Sequence, residues 1–454
     1  MTEAKDVQAV IQQIRNIKAA TPIGRVTRVE SGVVHASGLG GSARIGDWAK
    51  IYLQTGDILS GEIVQLIDKN VIILPDDTLD GIALNDRIAL GEPGQIFPSN
   101  HWIGRIIDAN GQPLDGRPLS FGSEVQNLRA HPPKAATRKP LGDRLETGLA
   151  ITNTLLPIAQ GQRVGLFAGS GVGKSTLLGT LATQMKSDVV VIAMIGERGR
   201  ELRHFVDNVL GEYGLKRAVI VAATSDQSPL LRRRCAWTAM AVAEYFRDQG
   251  KSVLFLADSI TRFAEAHREV AVAAGEAPVL RGHPPSTAHL IMQLCERAGP
   301  GQYDQGAITA IISVLVAGSD MEEPIADILR GVLDGHIVLE REIAERGRFP
   351  AIDLLRSVSR CLPAAATEAQ NKTIQEVRRI TSTYEHNATM IQAGLYSPGS
   401  DQDIDLAIAL WPALEAFLGS HDSGEISQSF NQLELLLRRT KTAAKLSGPA
   451  KSAI

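Results

Sequence analysis

The spacing of apolar residues changes character along this chain, and each change marks a different kind of element. Near the start, Val7, Val10, Ile11, Ile14 and Ile17 recur at i, i+3, i+4, i+7 and i+10, with no Gly or Pro before Pro22. That spacing predicts a helix with one apolar stripe, backed by Gln8, Gln12, Gln13, Arg15 and Lys18. Such a short helix must dock, either on its own chain or on a partner. From Gly24 to about Pro93, short β-rich runs (Ala49–Leu53, Gly61–Ile67, Val71–Leu74, Arg87–Leu90) alternate with Gly-, Asp- and Asn-rich turns. Close-spaced short strands predict a small barrel. The segment 96–150, with Pro-rich stretches such as His131-Pro132-Pro133-Lys134, reads as a linker. Beyond it, Arg163–Ala168, Asp188–Ile195, Ala218–Ala223, Ser252–Ala257 and Ala307–Ala317 are nearly continuous in Val, Ile, Leu and Ala. Strands buried on both faces read this way. Their alternation with helical patterns predicts an α/β parallel sheet. After about residue 366 the strands stop, and 367–393 and 402–446 read as helices.

Composition narrows the class. With 454 residues the chain holds several domains. Lys plus Arg is 47 and Asp plus Glu is 50, and a net charge of −3 argues against bulk electrostatic binding of nucleic acid. Cys235, Cys295 and Cys361 show no metal spacing and read as buried apolar residues of a reducing compartment. The opening Met-Thr-Glu-Ala-Lys-Asp has no apolar h-region. The longest apolar runs fall short of the ~18 residues that a membrane span requires. A soluble, cytoplasmic protein is expected.

The chemistry begins at residues 164–176, V-G-L-F-A-G-S-G-V-G-K-S-T. A strand runs into a glycine loop, then Lys, a hydroxyl and a helix, which is the arrangement of a phosphate-binding loop. Gly169, Ser170, Gly171, Val172 and Gly173 would turn their backbone N–H groups toward phosphate, with Thr176 opening the helix beyond them. Lys174 would reach the β- and γ-phosphates of a nucleoside triphosphate, and the Ser175 hydroxyl would ligate Mg²⁺. Ser252–Ala257 ends in Asp258, a carboxylate placed to hold Mg²⁺, usually through water. Asp188–Ile195 leads to Glu197, placed to polarise an attacking water, with Glu201 as rival and pairing to Arg198 or Arg200 as the alternative. An arginine from a second subunit would complete such a site, and Arg360 and Arg262 are both candidates.

Taken together, A-G-S-G-V-G-K-S-T, I-G-E-R-G-R-E, A-T-S-D-Q-S-P-L, L-A-D-S-I-T-R-F, R-G-H-P-P-S, L-D-G-H-I-V-L and R-F-P-A-I-D-L-L-R-S-V-S-R resemble the rotary-ATPase catalytic subunit family. Within it the chain looks most like the ATPases of type III protein export, over about residues 22 to 418. The resemblance implies a RecA-like P-loop nucleotide-binding core (96–365) with an N-terminal β-barrel (21–95) and a C-terminal helical domain (366–454). It further implies a homohexamer with ATP at subunit interfaces. It makes Lys174 and Glu197 catalytic, sets Arg198 and Arg262 along the γ-phosphate, and makes Arg360 the finger offered to the neighbouring subunit. Phe349 falls where the family stacks an aromatic on adenine, although an aromatic before Pro350 also suits a core. The partners implied are a stator-like negative regulator on residues 1–20, a central stalk protein, chaperone–substrate complexes and an export gate at the cytoplasmic face of the inner membrane. Flagellar export is preferred to injectisome export.

Three positions depart from the family pattern: Ala168 for the first loop Gly, His283 for Tyr, and Leu395 in the run before Gly399-Ser400-Asp401. A rotary-synthase subunit lacks support, because its acidic helix–turn motif is not evident. An RNA-translocating hexamer would need more than 4% aromatics and a basic surface.

Overall fold

The computed structural model describes residues 22–91, 94–279, 281–316, 321–421 and 425–446. The amphipathic segment 1–20 and its docking role lie outside them.

Alternation of inward apolar and outward polar residues builds the first unit. Strands β1 (Ile23–Glu30), β2 (Val33–Ser37), β3 (Trp48–Tyr52), β4 (Ile58–Ile67), β5 (Asn70–Pro75) and β6 (Arg87–Leu90) close into a barrel in the order β1-β2-β5-β4-β3-β6. Val26, Val34, Ala36, Ile51, Ile63, Val71, Ile73 and Ile88 fill it. Register shifts at Val26/Arg28 and Ile63/Gln65 supply the bends that closure needs. β1 and β2 are absent from the apolar runs of the sequence, because Arg25, Arg28, Glu30 and His35 break them. Their hairpin turns at Ser31 and Gly32, both at positive φ.

The second unit is a nine-stranded sheet. Its main path uses β7 (Arg105–Asp108), β8 (Arg163–Ala168), β9 (Val189–Glu197), β10 (Ala218–Thr224), β11 (Ser252–Asp258), β12 (Ala307–Leu315), β13 (Gly335–Leu339) and β14 (Ile352–Ser359). The order is β14-β13-β8-β12-β11-β9-β10-β7, parallel except for β14. Alternate residues feed opposite cores: Val189, Val191, Ala193 and Ile195 on one face, Val190, Ile192 and Met194 on the other. That explains the unbroken apolar runs. The reading of 96–150 as a linker needs correction, since β7 forms the sheet edge within it. Four residues are too few to register as a pattern. Asp115 accepts from Arg105 Nε at 2.6 Å and pins that edge. All three cysteines are buried.

Helices cover the faces. Helix α1 (Lys174–Gln184) follows β8, while α2 (Pro229–Asp248) and α3 (Ile260–Ala273) flank β11 in sequence. Within the apolar face of α2, Glu244 accepts from Arg297 at 3.0 Å and 2.5 Å, both side chains under 5% exposed. Arg297→Met would leave Glu244 charged and buried, with only Arg247, 4.0 Å away, to offset it. A loss of about 3–5 kcal/mol is expected, whereas Glu244→Leu with Arg297→Met is expected to recover most of it. Urea unfolding midpoints of the two variants check this.

The third unit is helical: α4 (Glu368–Gln392), α5 (Gln402–Leu418) and α6 (Ile426–Leu446). Thr367 and Gln370 form a capping box at the start of α4. Ile374, Val377 and Ile380 share a core with Leu410, Leu414 and Phe417 of α5 and Leu433 and Leu437 of α6. Tyr384 and Trp411 stack with ring centres 3.9 Å apart. The stretch 402–446 is two helices, parted after Leu418, where Gly419 ends α5. No helix among the described residues is long and apolar enough to cross a membrane.

Candidate active site

β8 delivers the glycine loop to the carboxyl-end rim of the sheet, where parallel α/β folds collect their ligands. Gly171 and Gly173 sit at φ +78° and +86°, a region that residues with a Cβ rarely adopt. Gly173 is also the N-cap of α1, so the loop ends on that helix's unpaired N–H groups. Ala168 explains itself here. It continues the strand, paired with Leu315 and Leu339, and nothing at that position calls for glycine.

Neighbouring strand tips bring the acidic groups. Asp258 ends β11 with its side chain 3% exposed, and its Oδ1 accepts from Ser313 Oγ at 2.7 Å. Lys174 donates to the same Oδ1. Glu197 ends β9, next to β11 in the sheet, and its Oε1 lies 4.0 Å from Lys174 Nζ. Burial first, then the Asp258 carboxylate, push the Glu197 carboxyl up to about 7; Lys174 opposes them and Glu201 adds to them. A carboxyl so poised suits a group that holds and polarises water. Glu201, the rival, is exposed and lies 3.9 Å from Arg198.

The donors suit Mg²⁺. A buried carboxylate at Asp258 and an exposed hydroxyl at Ser175 supply hard oxygens, and Mg²⁺ keeps several waters besides.

The remaining sequence candidates separate. Arg262 passes its stem over Gly196, beside Glu197, and donates to Glu265 at 3.0 Å. Arg198 is largely exposed. Phe349 is 52% exposed and so is not a core residue. Its ring instead borders the loop, since a Cβ on Gly173 would lie 3.3 Å from Phe349 Cδ1. Arg360 is not at this rim at all. β14 runs antiparallel to β13, so Ser359 pairs with Gly335 near the start of β8. The five steps from Arg163 to Ala168 then set Arg360 roughly 17 Å from the loop along the strands, at ~3.3 Å per residue. Arg360 is exposed, donates to the carbonyls of Leu333 (3.1 Å) and Arg330 (3.0 Å), and has no ion pair among the described residues.

Two members escaped the sequence reading. Ser313 stands out as a hydroxyl in an otherwise apolar run, and β12 places it beside Asp258. Arg341 Nη2 donates to the Ser170 carbonyl at 3.2 Å, bracing the loop from outside, and no motif signals it.

Known proteins match both halves of this layout. The model of the ATP synthase alpha/beta family, nucleotide-binding domain, matches residues 148–359. The model of the T3SS EscN ATPase C-terminal domain matches residues 366–434. The flagellum-specific ATP synthase of Bacillus subtilis is 41% identical over 94% of this chain and 98% of its own length. That of Salmonella typhimurium is 40% identical over 92% and 94%. Among solved structures, the assembled ATPase EscN of the enteropathogenic E. coli type III secretion system superposes with a TM-score of 0.84. It is 34% identical and covers 91% of this chain and 100% of that one. Assembled EscN in complex with its central stalk EscO gives 0.83 at 35% identity, with the same coverage.

Proposed function

This chain belongs to the family of flagellum-specific ATP synthases and is an ATP-hydrolysing enzyme of type III protein export, and we propose that it works as a ring of six copies with Mg·ATP bound between neighbours. The observation that carries the reading is the meeting of Lys174, Asp258 and Glu197 at the mouth of the glycine loop.

On binding, Lys174 leaves Asp258 and turns to the β- and γ-phosphate oxygens, while the loop N–H groups of Gly169 to Thr176 hold the chain of phosphates. Ser175 and Asp258 would hold Mg²⁺, which would supply positive charge to offset that of the phosphates. Glu197, freed from Lys174, orients and polarises the attacking water. Arg198 and Arg262 flank the γ-phosphate, and Phe349 stacks on adenine. Arg360 of each copy enters the site of the next one, which suits a surface cation far from its own loop.

Beyond the ring, the proposed partners are a central stalk protein, as EscN has in EscO, chaperone–substrate complexes, an export gate, and a negative regulator on residues 1–20. The enzyme would act in the cytoplasm, peripheral to the inner membrane. Flagellar relatives at 40–41% identity over more than 90% of the chain support flagellar cargo.

The test uses the chain alone. Purified protein is expected to hydrolyse Mg·ATP as it assembles into rings, without RNA stimulation. Turnover that appears only with a non-identical partner subunit would instead favour a synthase subunit, and RNA stimulation a translocase.

A further inference from the structure

The segment that carries Phe349 is held from the helical domain. Arg348, its neighbour in sequence, is 9% exposed and donates from Nη2 to the Ile352 carbonyl at 3.0 Å. Its Nε lies 3.4 Å from Glu415 Oε1 on α5. Glu415 is the one carboxylate within ion-pair distance of Arg348 among the described residues. One turn further on, Gly419 packs on the same two residues. A Cβ there would stand 3.3 Å from Arg348 Cγ and 3.3 Å from the Phe349 carbonyl oxygen. The end of α5 is itself anchored on the nucleotide unit, where Ala150 N donates to Ser420 O at 3.2 Å and Leu149 bridges to His421. At the other end of this short chain of contacts the Phe349 ring borders Gly173 of the phosphate loop.

A half-exposed aromatic is free to take many rotamers, and the backbone beneath it decides where its face can point. Beside that backbone lies a buried guanidinium that bonds the Ile352 carbonyl, and a carboxylate from another unit offsets its charge as an ion pair at 3.4 Å, with no hydrogen bond between Nε and Oε1. We propose that Glu415 is a positioning residue for ATP. Acting through Arg348, it sets Phe349 over the loop, so that the C-terminal helices tune affinity for the base without touching the nucleotide. The proposal rests on the reading that Phe349 stacks on adenine. Glu415 adds nothing to the transfer step, which takes place at the other end of the ATP molecule.

Steady-state KM and kcat for ATP test this in the full-length protein. Phe349→Ala is expected to raise KM about tenfold, as the loss of one base–aromatic stack would. Glu415→Gln is expected to raise KM about fivefold with kcat within about twofold of wild type, the signature of lost ground-state binding. Gly419→Ala approaches the same segment without touching a charge. Its φ of −89° suits alanine, so the variant folds with only the contacts to Arg348 and Phe349 disturbed, and it is expected to raise KM likewise. Combining Glu415→Gln with Phe349→Ala is expected to add nothing to Phe349→Ala alone.

The outcomes separate cleanly. If Phe349→Ala raises KM while Glu415→Gln and Gly419→Ala do not, or if the double variant is additive, the positioning role is wrong and the stacking role stands. If Phe349→Ala leaves KM unchanged, the stacking reading fails and takes this proposal with it. Should Glu415→Gln fold poorly, Glu415→Asp, which keeps the charge but withdraws it from Arg348, decides by the same rise in KM.

Discussion

Arg360→Ala is expected to lower kcat by roughly 10³–10⁵ while leaving ATP binding by each chain nearly intact. The expectation follows from where Arg360 sits. Its guanidinium is exposed, is held by two carbonyls, and lies at the opposite end of the strands from Lys174. Removing it disturbs no ion pair among the described residues, so folding should be spared. An effect of that size from a surface arginine is intelligible only if the group acts on a neighbouring copy. Mixing decides the matter. Rings mixed from Arg360→Ala and Glu197→Ala chains contain some sites with an intact Glu197 facing an intact Arg360. Activity should therefore reappear, peaking near equal proportions. If no ratio restores turnover, Arg360 does not act between copies.

Glu197→Gln is expected to cost roughly 10²–10⁴ in kcat, the range for loss of a general base, with KM for ATP little changed. The amide keeps the shape of the side chain and loses the charge that polarises water. The pH profile carries the sign. Burial and Asp258 raise the Glu197 carboxyl to about 7, so its active, ionised form grows as pH climbs through that value. For the wild type, kcat/KM should rise across this range, since it reports on the free enzyme. The residual activity of the glutamine variant should not rise. A variant that keeps the wild-type profile would transfer the role to another group, Glu201 being the nearest carboxylate in sequence.

Much of this was legible in the residues because it depends on local order. The loop, the strand before it and the helix after it are contiguous. Asp258 and Glu197 each follow an apolar run, and parallel strands carry such tips to one rim. What was not legible depends on the third dimension. β1 intersperses charged with apolar residues, β2 is short and broken by His35, and β7 is too short to show a period. Phe349 has the composition of a core residue, and only the packing of the chain around Gly173 leaves it half in solvent. The resemblance already offered Arg360 as the finger; where it lies in its own chain depends on the direction of β14, which no composition encodes. Arg262 stands beside Glu197 in its own chain, whereas the antiparallel edge strand carries Arg360 away.

The contact of Lys174 with Asp258 and Glu197 bears on the end of the catalytic cycle. A lysine left alone among apolar strands would cling to any anion in reach, and the buried Asp258 and part-buried Glu197 would repel each other. Here each is the other's counterion. One cation faces two carboxylates, so any phosphate that binds Lys174 competes with Asp258 and Glu197 for it, and that competition weakens the hold on ADP and phosphate. An enzyme that turns over repeatedly gains from a site that empties readily.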